Sequence, residues 1–325
     1  MPASGLRAIA IACCLSIGCA AKSASRVPTV AAGSTAPMAV VLTTDCGVEI
    51  DDQWALAHIL LSPELQLRGV VATHASTVRL GPATSAAEAA RVVARVATPK
   101  GTGIPIVRGA DVPLQDASTP RTNAGVKLLV SASRSFSRER PLVILSIGAA
   151  TDIASAILED PSFADRVAIV AMGFQDWPSG GNEFNIANDP LAWQVILRSR
   201  VRLVVGSGSV GRQALRLTAS EAAAVMRPHG ETGEYLYQLF DGWLTRNAEL
   251  AARMVAPGAW AIWDEIVVAY ALRFAHGEQM VRPQLQPDFF FVHPRTRERI
   301  TWIRQLDAQG LWRDFGRKID AQRRD

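Results

Sequence analysis

Three aspartates and a glutamate crowd into eight residues, Asp45-Cys-Gly-Val-Glu49-Ile-Asp51-Asp52. Carboxylates this close repel one another, and keeping them charged is costly unless a cation shares them. Their oxygens are the hard ligands that calcium and magnesium take, and no His or Cys set accompanies them that would suit zinc. Capping explains an acid or two in a helix's first turn, but Asp45 stands too far ahead of the helix expected from residue 51. Further acids and amides recur much later. Glu183, Asn185 and Asn188 lie in GNEFNIANDPLAW (181–193), and Asp264 lies in WDEIVVAY (263–270). Asp264 could equally cap a helix, Asn185 and Asn188 could be turn residues, and Asp189-Pro190 has the form of a helix start. Thr151-Asp152 reads as another helix N-terminus.

Short β-branched runs and longer Ala/Leu-rich stretches must position these groups. Strands are expected at 39–44, 67–73, 104–107, 142–147, 167–172 and 201–205. Helices are expected at 51–61, 82–97, 121–134, 150–158, 188–198 and 219–227, followed by two more at 231–253 and 259–275. Apolar runs without alternation indicate strands buried on both faces, hence a mostly parallel central sheet flanked by helices, an α/β fold in a single domain. In such sheets the ligand crevice lies beyond the carboxyl ends of the strands. The acids at 45–52 directly follow the first strand.

VLTTDCGVEIDDQWALAHIL (41–60) resembles the N-terminal signature of the inosine-uridine nucleoside hydrolases, an Asp-rich loop running into Asp-Asp before a helix. IPIVRGADVPL (104–114), LSIGAATDIASAIL (145–158), MGF (172–174), GNEFNIANDPLAW and WDEIVVAY are similar to later segments of that family, in the same order. The resemblance spans residues 40 to 275. It implies hydrolysis of the N-glycosidic bond of a ribonucleoside or related ribosyl compound. It also implies one calcium ion held by Asp45, Asp52, Asp264 and the backbone carbonyl near Ile147, with the ribose hydroxyls held by Asp51, Glu183 and Asn185. The nucleophile would be a metal-activated water whose proton passes to Asp45 as general base. Buried carboxylates would stabilise an oxocarbenium-like sugar.

The sequence departs from the family pattern at several points. Thr43 replaces an acid. After the second strand, ATHAS offers His74 and Ser76 where the family has a ribose-contacting Asn, so His74 is a candidate for sugar or base, or else structural. Trp263 occupies the position of the His that aids nucleobase departure in purine-acting members. Indole cannot serve as an acid near neutral pH, though it can stack on a base. The stretch FQDWPSGGN (174–182) also differs, and its Asp176, Trp177 and Asn182 are candidates to shape the pocket. An exported ribosyl- or nucleoside-binding protein without turnover is therefore the alternative to a salvage enzyme.

The 325 residues, 49% hydrophobic, suffice for one large core. The net charge of +4 is scattered, and the densest stretch, Arg295 to Arg324, is interspersed with acids. It is read as a solvated mixed-charge surface and not as a nucleic-acid site. Arg7 precedes an uncharged run, Ala8 to Ala21, of the length of a signal-peptide core. Residues 1–21 are thus expected to be an export leader, 22–37 a flexible tether, and 38–325 the catalytic domain, placed in the periplasm or on a membrane. Gly18-Cys19 resembles a lipoprotein cleavage site, with Cys19 carrying the lipid anchor, while cleavage after Ala20 or Ala21 is the competing reading. Cys46 is the lone cysteine beyond this leader, so no internal disulfide is expected. Whether copies of the chain assemble into a homo-oligomer is left open by the sequence.

Overall fold

The computed structural model describes residues 27–29, 36–96 and 103–322. The expected leader and Cys19 lie outside them. The described strands are β1 (Met38–Thr44), β2 (Leu65–Ala72), β3 (Ile106–Arg108), β4 (Leu142–Ile147), β5 (Val167–Met172), β6 (Arg202–Gly206), β7 (Arg216–Thr218), β8 (Ala259–Ala261), β9 (Ala275–Val281), β10 (Gln284–Leu285), β11 (Phe291–Val292) and β12 (Arg299–Leu306). The first seven helices are α1 (Asp51–Leu61), α2 (Pro82–Val96), α3 (Ala124–Ser133), α4 (Thr151–Glu159), α5 (Phe163–Arg166), α6 (Phe184–Asn188) and α7 (Pro190–Arg198). They are followed by α8 (Gly208–Ala214), α9 (Ala219–Met226), α10 (Gly230–Arg246), α11 (Ala248–Met254), α12 (Glu265–Ala271) and α13 (Ala308–Gln322).

Eight strands form one sheet in the order β3-β2-β1-β4-β5-β6-β12-β9. All neighbours are parallel except the β12–β9 pair at the edge. Because β4, β5 and β6 are buried along their whole lengths, both sheet faces carry a core. Val40, Leu42, Val143 and Leu145 pack on one side with Trp54, Phe240, Trp260 and Phe315. Val41, Ile144, Ile169 and Val205 pack on the other with Phe163, Trp193 and Trp302. This alternation is the period of two that a strand imposes. The sheet runs one way from β1 to β2 and β3, and the chain then crosses to lay β4 on the opposite flank of β1. That reversal opens a crevice between the carboxyl ends of β1 and β4.

Several expected elements differ in detail. The stretch 188–198 is broken at Asp189, whose side chain accepts from Ala192 N (2.9 Å) and so starts a new helix. The stretch 231–253 is interrupted at Asn247. The stretch 259–275 opens as strand β8, paired with β7, and becomes helical only at Glu265. The charged tail exposes Arg295, Arg297, Arg299, Arg313 and Arg317 as expected, but its apolar residues are part of the core. β12 inserts between β6 and β9, and α13 buries Leu311, Trp312, Phe315 and Ile319 along one face while Arg313 and Arg317 face outward. Within the stretch expected to be a tether, Val27 is buried, and its carbonyl accepts from Tyr270 Oη (3.3 Å). Among the described residues no helix is long and apolar enough to cross a membrane.

Candidate active site

The crevice floor is built where β1 ends. Thr44 pairs in register with Ile147 of β4 and with Ala72 of β2, so Asp45 emerges beside the last residue of β4. The approach is tight, because a Cβ on Gly148 would come within 2.8 Å of Asp45 N and 2.4 Å of Thr73 Oγ1. Only glycine fits there. The loop then turns at Gly47, whose φ of +103° lies in the left-handed region, and delivers Asp51 and Asp52 into the first turn of α1. Neither is needed as that helix's cap, since Ile50 holds the cap position. The Thr44 hydroxyl donates to the Asp52 carboxylate and accepts from Cys46 N (3.2 Å). Cys46 itself is fully buried and free, a packed loop residue.

Asp264 reaches this floor from 206 positions after His58, the residue two turns along α1 to which its neighbour Glu265 is bound. It occupies the position before α12, yet its side chain makes no capping hydrogen bond. Oxygens of Asp51, Asp52 and Asp264 all lie within 4.8 Å of one another. Burial, and then the charge of Asp52, hold Asp45 well above the usual carboxylate range. Burial followed by repulsion from Asp51 acts likewise on Asp52, Asp264 and Glu49. Burial pushes Asp51 up to about 7, although backbone hydrogen bonds from Asp51, Asp264, Trp263 and Asp52 oppose the shift. In addition, Asp45 Oδ2 is buried with no hydrogen-bond partner among the described residues. Packed acids, an orphaned oxygen and an all-oxygen donor set fit a hard divalent cation. These five acids and Ile147 all line one cleft.

The cleft encloses about 560 Å³ including its open mouth. Glu183 and Asn185 also line it. Glu183 caps α6 through Ile186 N (3.2 Å) and is pushed up to about 7 by burial. Asn185 Nδ2 donates to Met172 O (3.4 Å). Trp263 closes one wall, its indole Nε1 donating to Gly208 O (2.9 Å) and its ring set edge-on to Trp260. Of the side chains expected at the site, these therefore come together: Asp45, Asp51, Asp52, Glu183, Asn185, Trp263 and Asp264.

His74 and Asn182 do not line the cleft. His74 is fully buried and held through both ring nitrogens, Nε2 to Thr151 Oγ1 (2.9 Å) and Nδ1 to Ser76 Oγ (2.7 Å). Thr151 in turn donates to Asp189 (2.6 Å), so the imidazole braces β2 against α4 and α7. Asn182 is exposed, and its contribution is a backbone carbonyl that accepts from Gln175 Nε2 (2.9 Å). Thr43 is buried away from the cleft, with its hydroxyl lacking a hydrogen-bond partner among the described residues. Asp152 accepts from Ala110 N (3.0 Å) and Asn123 Nδ2 (2.8 Å), and Asn188 accepts from Thr77, so both are structural. The sequence reading missed Val48, Met172, Gln175, Gly208, Arg212 and Met254 as lining residues. The signal available was position, since Met172, Gln175 and Gly208 stand at or just after the carboxyl ends of β5 and β6.

A family model described as inosine-uridine preferring nucleoside hydrolase matches residues 40–312. The non-specific ribonucleoside hydrolase RihC of Salmonella agona is 26% identical over 260 residues, which cover 71% of this chain and 81% of that protein. A purine-preferring ribonucleoside hydrolase from Gardnerella vaginalis superposes with a TM-score of 0.72 at 18% identity, covering 87% of this chain and 98% of the other. The type III effector XopQ, complexed with adenosine diphosphate ribose, superposes with a TM-score of 0.65 at 15% identity over 89% and 95%.

Proposed function

The chain belongs to the inosine-uridine preferring nucleoside hydrolase family and is an N-glycosyl hydrolase, and from that premise we propose that it cleaves ribonucleosides or related ribosyl compounds in a calcium-dependent reaction outside the cytoplasm. The observation that carries this reading is the convergence of Asp51, Asp52 and Asp264 beside the unpartnered Asp45 oxygen. Asp45, Asp52, Asp264 and the Ile147 carbonyl would hold the ion. When bound, calcium supplies the positive charge that keeps these acids ionised and polarises the attacking water. Asp45 takes the proton that water loses as its oxygen bonds the anomeric carbon, and the electron pair of the breaking C–N bond leaves with the base. Glu183, Asn185 and Asp51 hold the ribose hydroxyls and face the positive charge that develops on the ring. Export rests on the apolar Ala8–Ala21 run behind Arg7, with Cys19 as the lipid-bearing residue if cleavage is of the lipoprotein type.

A second reading, a ribosyl-binding protein without turnover, is favoured by Trp263. Its one N–H is already spent on Gly208 O, which leaves it nothing to offer a departing base. The ADP-ribose complex of the XopQ effector supports ribosyl binding in this fold. Hydrolysis of p-nitrophenyl riboside, whose leaving group needs no protonation, separates the two. Turnover is expected, and Asp45→Ala or a chelator should cut it by about 10²–10⁴-fold. Calorimetry should show calcium binding that Asp264→Asn weakens. Tight ribose binding with no turnover would establish the second reading.

A further inference from the structure

We propose that Arg212 stabilises negative charge on the leaving group, so that this enzyme's substrates are ribosides whose base departs as an oxygen-bearing anion. The inference rests on the hydrolase reading above and names its substrate class. Arg212 lies in α8, and the helix is seated directly on the wall of the cleft. At Gly211 a Cβ would come within 2.4 Å of Trp263 Cδ1, and the Gly208 carbonyl takes the Trp263 N–H (2.9 Å). The tryptophan is thus clamped beside Asp264, and the next residue along α8 brings a guanidinium to the rim. Arg212 is exposed and lines the cleft together with Gln175 and the 45%-exposed Met254. No carboxylate of the cleft forms an ion pair with it among the described residues, although six acids line the same space. The cleft is therefore polarised, acidic at its floor and cationic at its rim.

A riboside seated with its hydroxyls on Asp51, Glu183 and Asn185 directs its other end toward that rim. A guanidinium stays protonated at any working pH, so Arg212 cannot donate a proton to the base. It can accept developing charge through N–H groups placed where that charge appears. When the C–N bond breaks, its electron pair stays on the base nitrogen. A carbonyl next to that nitrogen spreads the charge onto an oxygen that a guanidinium binds well. The anion then takes its proton from solvent after release. Uridine belongs to this class. Adenosine, with no base oxygen, does not.

The test compares wild type with Arg212→Met and Arg212→Lys on uridine, adenosine, uridine 5′-monophosphate, and aryl ribosides of graded phenol acidity. Arg212 is exposed, so its replacement leaves the core intact, and melting temperature with and without calcium checks this. Arg212→Met should lose about tenfold to a hundredfold in kcat on uridine but about threefold or less on p-nitrophenyl riboside, and Arg212→Lys should recover part of the loss. Across the aryl series the rate should fall more steeply with leaving-group basicity in Arg212→Met than in wild type. Equal losses on all substrates, no loss on uridine, or a loss confined to the 5′-phosphorylated substrate would each overturn the proposal. Failure of the wild type itself on p-nitrophenyl riboside would instead sink the hydrolase reading, and this inference with it.

Discussion

Asp264 stands at a helix start, where an aspartate is ordinarily spent on the backbone, yet its carboxylate caps nothing and turns toward Asp51 and Asp52. Sequence alone left both roles open, because the same residue type in the same local context serves either. His74 shows the converse. A histidine after a strand end invites a binding role, but its two nitrogens are consumed by Thr151 and Ser76, partners that no local pattern announces. The acids also fix a dependence on pH. Asp51 and Glu183, pushed up to about 7, bind protons in the folded state that the unfolded chain has released. Folded pKa values above the unfolded ones mean that stability falls as pH rises from about 4 through about 7. In chelator the melting temperature should therefore decline from pH 5 to pH 8. Saturating calcium should flatten that decline, and an equal slope in both conditions would contradict a shared cation.

Two helices carry the acids, and a buried ionic network joins them. His58 of α1 bonds Glu265 of α12 through Nδ1 (2.9 Å) and Asp314 of α13 through Nε2 (3.3 Å), with its ring stacked on Phe315 at 4.2 Å. Lys318 completes it, bonded to Asp314 (2.7 Å) and to Ser62 Oγ (2.8 Å). Burial disfavours the charged imidazole, but Glu265 and Asp314 outweigh it and raise His58 above its usual value. The network's contribution is complete below about pH 6.5 and is lost as pH climbs through the raised value. At the other end, Asp314, held down at about 2 despite its burial by His58 and Lys318, loses its contribution as pH falls from about 4 to about 2. His58→Gln is expected to cost about 3–5 kcal/mol at pH 6, measured by denaturant unfolding, because the fully buried Glu265 loses its cationic partner while Asp314 keeps Lys318. Helices were legible where their apolar spacing was strong, as at 82–97, whose buried positions Ser85, Ala89, Val92, Val93 and Val96 recur at helical spacing. The helix start at Asp189-Pro190 was legible from its capping residues, but the strand at 259–261 was not, since it depends on a partner distant in sequence, β7.

The strand reversal at β1 gathers residues 45–52, 147, 183–185 and 263–264 into a single cleft. The parallel sheet was readable from continuous apolar runs, and the crevice from the rule that ligands gather beyond strand ends. The exposed charges of the tail were legible, but the burial of the apolar residues spaced among its arginines was not, since only the sheet edge shows what they cover. Trp302 of β12 is fully buried against Phe174, Trp177 and Phe291. Trp302→Ala should cost about 3–5 kcal/mol, seen as a lowered unfolding midpoint with calcium affinity retained. Val27 has a practical consequence of the same kind. Its side chain plugs an apolar socket against the helix that follows Asp264, and its carbonyl engages the Tyr270 phenol. A recombinant protein begun at Met38 would leave that socket wet, forfeit about 1.5–3 kcal/mol of burial, and melt several degrees lower than one begun ahead of Val27. Substrate screening therefore belongs on the longer form.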